Sequence, residues 1–404
     1  MPRMMRDMEM RWIQSPELHK LIDRVNKLTD GDGYELYDEN TEVLQRILEK
    51  KLVISKRENE WYCYFMTMCD LLYLLKRSTE YKKILQYAEV LYKERKLHLD
   101  ETVEQYGDEY VGLCGSVWSY AMIFECYAEF PQIDDKKIME FMELYKEDAF
   151  SYGDSGKKDY YAALSQIGLM YRDVDLARAG AEGALQCEIK SCYLCAMKPV
   201  LGYYLLLEDY ESFESLLHEI RTRNIPAKYL WSYNQCSIAK EKNLIGMMLR
   251  YCLRFGRMEY FDKLLQENKN LYQIVDDKLE PDDILFHACV GDWSHVEEDC
   301  KRAEETDKDW QKLHLTPLDS IYECLMWTCY FTLLKEHGVK EIAIHLTGER
   351  APAGIHGKCD TSEVAHYFEK IADKFGIQME HAREKFDYEF LKVQHQKLIE
   401  RYTK

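Results

Sequence analysis

Leu201-Gly202-Tyr203-Tyr204, followed at once by Asp209-Tyr210, is the stretch that decides the fold. An apolar helix stops at a short turn and restarts on an aromatic residue. Ile167-Gly168, Tyr171 and Asp175-Leu176 repeat the phrase 34 residues earlier. A helix pair of that length cannot bury its apolar face alone, whereas stacked pairs share one continuous core and leave a groove for a partner. The expectation is therefore an all-α chain of stacked helical hairpins.

Working outward, the turn that closes each first helix can be followed through Tyr81, Ile133, Leu176, Tyr210, Met258, Trp293, Val339 and Ile377, which implies about eight hairpins of uneven length. Phe255-Gly256-Arg257, Val290-Gly291-Asp292 and His337-Gly338-Val339 each place Gly where a helix must end in a left-handed turn. The second helices show spacings of three and four, as in Phe213, Leu216, Leu217 and Ile220. Thr316-Pro317 supplies a cap and a first helical residue for a helix over 318–334. Pro199 either starts a helix after a break at Lys198 or kinks one that begins near Cys192.

Residues 1–58 read differently, as two amphipathic helices joined by an Asp/Gly turn, and form either a cap or a small bundle. The hairpin stack then covers 59–346, a Gly/Pro loop covers 347–361, and a helical hairpin covers 362–404.

Composition narrows the function. A chain of 404 residues exceeds the usual single core, as a repeat stack does. Its 31 tyrosines suit helical repeats, where an apolar ring packs inward and the hydroxyl reaches water. A formal charge of −18 argues against duplex DNA or an anionic membrane as partner and permits a basic one. The 14 cysteines sit mostly in apolar helical runs, as small core residues do. With no secretory signal and no apolar run near the roughly 20 residues of a membrane span, a reducing cytoplasm is the expected location.

Catalytic patterns are weak. Gly153-Asp154-Ser155-Gly156 spells a protease-like string, but no His lies within fifty residues of it. Asp30-Gly-Asp32-Gly33 reads as a turn, because Leu28 stands where a calcium loop needs its first carboxylate. Cys187, Cys192 and Cys195 lack a fourth ligand for zinc. His345, His356 and Cys359 flank the Gly/Pro loop, with Glu349 and Asp360 nearby, but their spacing fits no metal motif and favours a surface loop. Phosphate-binding, dinucleotide, zincin and nucleophile-elbow motifs are missing. The sequence thus predicts no enzyme, no cofactor and no metal.

The Leu-Gly … Asp-Tyr phrase resembles the tetratricopeptide superfamily, most clearly over 160–225. That resemblance implies an irregular tetratricopeptide-like α-solenoid whose ligand lies along the first helices. Carrying the family's groove positions onto this chain nominates Ser165, Arg172, Tyr203, Tyr251, Arg254 and Phe286. Two arginines among aromatic rings suit a peptide, held by charge-assisted bonds and stacking. In layout, a small N-terminal helical segment before an irregular solenoid is also similar to the Rap-type bacterial peptide-pheromone receptors. Glu42-Val-Leu-Gln45 is where the Gln-dependent phosphatase role of that family would begin.

The leading expectation is a non-enzymatic cytosolic regulator that binds a peptide or protein partner in its concave face. The rival is an acidic inhibitor or immunity-type protein that masks a basic partner. A third reading is a metal-assisted or thiol-dependent enzyme built on the 345–360 loop.

Overall fold

The computed structural model describes residues 13–28, 41–76, 81–106, 130–151, 153–188, 193–222, 241–272, 281–311, 317–347 and 355–403. The Asp30–Gly33 turn, Cys126, Cys192, Thr316 and Glu349 lie outside these residues, as do the side chains of Ser155 and Cys195. Helices dominate, so the class is all-α. They are α1 (Pro16–Leu28), α2 (Thr41–Arg57), α3 (Trp61–Lys76), α4 (Tyr81–Tyr106), α5 (Asp135–Ser151), α6 (Gly153–Tyr171), α7 (Val174–Leu185) and α8 (Tyr193–Leu207). There follow α9 (Tyr210–Thr222), α10 (Glu241–Phe255), α11 (Met258–Glu267), α12 (Pro281–Cys289), α13 (Val296–Gln311) and α14 (Pro317–Glu336). Two strands, β1 (Glu341–Leu346) and β2 (Ile355–Asp360), precede α15 (Thr361–Ala382) and α16 (Tyr388–Tyr402). Among the described residues no helix is long and apolar enough to cross a membrane. Pro199 lies inside α8.

One turn recurs at the ends of helices. A residue enters the left-handed region: Asn59 (φ +57°), Arg172 (+54°), Glu208 (+62°), Gly256 (+72°), Gly291 (+78°) and Gly338 (+97°). The next N–H then reaches back five residues. Glu60 donates to Ser55 O at 2.9 Å, Asp173 to Gly168 O at 2.8 Å, and Asp209 to Tyr204 O at 3.0 Å. Arg257 donates to Cys252 O at 2.7 Å, Asp292 to His287 O at 3.0 Å, and Val339 to Leu334 O at 3.2 Å. This closure satisfies a carbonyl that the helix end would leave bare. The aspartate that follows caps what comes next: Asp173 accepts from Leu176 N (3.1 Å) and Asp209 from Ser212 N (3.1 Å). Leu-Gly … Asp-Tyr therefore spells a chain reversal, with the Asp as cap.

Packing links most helices to a sequence neighbour, and one row also links helices to the next but one: α6 touches α8, α8 touches α10, α10 touches α12, and α12 touches α14. The α6/α7 pair packs backbone against backbone. A Cβ on Gly168 would stand 2.2 Å from Ala177 N, and one on Gly180 would stand 2.3 Å from Ser165 N. The buried Ala177, Gly180, Ala181, Gly183 and Ala184 of α7 let the two backbones approach this closely.

Three expectations are corrected. Val339 leads into a strand, because Glu341-Ile-Ala-Ile-His-Leu346 alternates with period two and buries Ile342, Ile344 and Leu346. The 347–361 segment is not loop throughout: β2 pairs antiparallel with β1, from Glu341↔Asp360 to Leu346↔Ile355. Ile377 marks no turn, since α15 runs unbroken past it and leaves it exposed. Gly376 is there a notch for the Tyr388 ring, which would lie 2.3 Å from an added Cβ.

The tyrosines tie helices together through carboxylates. Tyr171 donates to Asp135 (2.5 Å), Tyr367 to Asp307 (2.6 Å), Tyr388 to Asp373 (2.8 Å) and Tyr402 to Asp262 (2.7 Å). Cys63, Cys69, Cys252, Cys289, Cys300, Cys324 and Cys329 are buried, and burial pushes the Cys300 thiol up to about 12.

Tyr330 donates to Asp299 Oδ2 at 2.7 Å, while Asp299 Oδ1 is buried without a hydrogen-bond partner. Burial raises the Asp299 carboxyl to about 6, against the opposing pull of Tyr330, His295 and Arg302. The folded protein thus holds this proton more tightly than the unfolded chain does. Stability contributed at low pH should be lost as pH rises from about 4 through about 6, by on the order of 2–3 kcal/mol relative to Asp299→Asn. Chemical denaturation across that range checks it, and parallel pH profiles for the two proteins would refute it.

Candidate functional site

The nominated groove residues fall into three settings. Ser165 and Phe286 belong to the core. Ser165 is fully buried, with its hydroxyl 3.5 Å from Pro199 O, and its backbone abuts Gly180. Phe286 is wedged between Phe261 and Tyr272, with ring centroids 6.0 and 5.2 Å away. Tyr203 is buried on α8, and its hydroxyl accepts from Arg178 Nε at 3.3 Å.

Arg172 already has company. It stands in the turn after α6, pairs with Asp387 at 3.1 Å, and lies 3.5 Å from the centre of the Phe390 ring. Burial lowers its pKa and Asp387 opposes the shift. Lys385 reaches Asp173 at 2.5 Å beside it. The α16 segment thus supplies the carboxylate and the ring that sequence reasoning assigned to a ligand.

Tyr251 and Arg254 do come together. Tyr251 is buried, with its ring 3.2 Å from where a Gly202 Cβ would be, and it stacks on Phe255 at 5.6 Å. The Arg254 guanidinium sits 4.4 Å from the Tyr322 ring centre and 5.9 Å from that of Tyr251. It is half-buried, and among the described residues it makes no hydrogen bond and no ion pair. A half-buried cation between two rings, lacking an anion, can bind a carboxylate. Sequence reasoning missed Tyr322, because α14 carries no repeat signature that would align it with α10.

A second feature is an open cleft of about 580 Å³ between the turns that open α9 and α11 and the far end of α16. Glu208, Glu259 and Glu400 share its wall with Arg257, Lys397 and Arg401. Arg257 is committed to Leu205 O at 3.1 Å, Leu206 O at 2.5 Å and Glu208 at 2.5 Å. Lys397 has no partner among the described residues.

The catalytic candidates gain nothing. Gly153 to Gly156 forms the opening turn of α6. Cys187 donates to Gly183 O, and Cys359 points inward at Ile342 O. No group of three or more His, Cys, Asp or Glu able to hold a metal occurs among the described residues. Comparison with models of known families, with curated proteins and with solved structures finds no match.

Proposed function

We propose that the chain is a non-enzymatic helical-repeat binding protein, an irregular tetratricopeptide-like solenoid that acts as a peptide- or protein-binding regulator. The recurrent five-residue turn closure and the row of alternate helices from α6 to α14 support the architecture. The observation that carries the binding role is Arg254, a half-buried guanidinium held between Tyr322 and Tyr251 with no anionic partner among the described residues. A carboxylate of an extended partner completes it, while the rings exclude water and strengthen the bond.

Mass spectrometry of what co-purifies with the full chain identifies the partner, and titration calorimetry then compares the parent with Arg254→Ala. A hydrogen bond to a charged group is worth about 1.5–3 kcal/mol, so affinity should fall about tenfold or more. The thermal midpoint should fall only modestly, because Arg254 loses its ring contacts but, among the described residues, no ion pair. Equal affinity in the variant would transfer the function to another surface and favour the inhibitor reading.

A further inference from the structure

The register of the β-hairpin creates a constellation that linear spacing hides. His345 and His356 are direct cross-strand partners. Both are exposed, with ring centroids 4.3 Å apart. Their Nδ1 atoms lie 2.9 Å from each other. Two such atoms can share one proton only if one ring offers a lone pair, and a cation that accepts both lone pairs fits the same gap. Zinc–imidazole bonds of about 2.0–2.1 Å, opened to between 90° and the tetrahedral angle, separate the two nitrogens by roughly 2.9–3.4 Å.

We propose that His345 and His356 form a surface chelate for a borderline divalent transition metal, the Zn²⁺, Ni²⁺ and Cu²⁺ class that imidazole ligands suit. The protein supplies two nitrogens and water fills the remaining positions. The backbone is already set for this. Glu304 accepts from His345 N at 2.8 Å, and Asp307 accepts from Thr347 N at 2.8 Å, which pins β1 to α13. Gly357, with φ +82°, lies next to His356. Cys359 takes no part, because its thiol faces Ile342 O. An isolated two-stranded hairpin is marginal on its own, and a metal bound across the pair fastens it near its Leu346–Ile355 end.

The test titrates the full chain with Zn²⁺, and separately with Cu²⁺, by calorimetry. One equivalent is expected, with affinity higher for Cu²⁺ than for Zn²⁺. His345→Ala and His356→Ala should each weaken it tenfold or more, whereas Cys359→Ser and His366→Ala should leave it unchanged. Both imidazoles are exposed, so the variants should keep the parent's circular dichroism. The imidazole proton resonances of His345 and His356 should shift or broaden on metal addition. Metal bound equally well by the His345→Ala, His356→Ala double variant, or a titration that leaves those resonances untouched, overturns the proposal. Neither result bears on Arg254, whose binding role is judged by its own variant.

Discussion

Arg383→Ala is expected to cost about 3 kcal/mol of folding stability, because a fully buried guanidinium that serves two buried carbonyls is deleted and each charge-assisted bond is worth about 1.5–3 kcal/mol. The Arg383 side chain is fully buried. It donates to Ile133 O at 2.5 Å and Phe130 O at 2.7 Å, and stands 3.4 Å from Asp135. The two carbonyls belong to the turn before α5, some 250 residues away in sequence. Alanine would leave Ile133 O buried and unpaired and Phe130 O with only the Ile133 N–H at 3.2 Å, while among the described residues Asp135 would keep the Tyr171 hydroxyl. Arg383→Lys keeps the charge but cannot fork across two acceptors, so it should fall between the parent and alanine. Equilibrium denaturation measures both, and a loss below about 1 kcal/mol for alanine would show that α15 is not anchored through this residue.

The second large effect is expected at Gly168. Gly168 and Gly202 belong to the two copies of the repeated phrase, but the atoms they face differ. An alanine methyl at Gly168 meets the backbone of Ala177 at 2.2 Å and 2.7 Å, which can yield only if α7 moves as a unit. At Gly202 the nearest atom is the end of the Leu169 side chain at 2.7 Å, and a rotamer change relieves it. Replacing Gly by Ala in a helix also gains about 1 kcal/mol from backbone entropy. Gly168→Ala should therefore lose about 3 kcal/mol or more, at the upper end of overpacking costs, while Gly202→Ala should come out near neutral. Leucine at Gly202 is too large for that relief and should cost about 1–3 kcal/mol. Unfolding midpoints rank the three variants. If Gly202→Ala proved as damaging as Gly168→Ala, the close α6/α7 approach would not be the tighter constraint.

What the sequence determined by itself is local. Glycines at 256, 291 and 338 and aspartates at 173 and 209 fix left-handed turns and caps through their own backbone and short side chains, so the helix boundaries around them were legible. The alternation over Glu341–Leu346 is present in the sequence too, but the helical period on either side masks it. Arg172 and Glu208 take the same left-handed turn without a glycine, so no residue type announced them. Tertiary structure alone decided what each side chain meets. Ser165 and Phe286 are groove candidates by linear spacing, but they face neighbouring helices. Arg172 meets Asp387 and Phe390 only because α16 folds back over the turn after α6. His345 meets His356 only because two strands pair in one register. The physical reason is that repeat spacing places a residue on a helix face, whereas the partner of that face is set by segments tens to hundreds of residues away, and no short-range pattern encodes them.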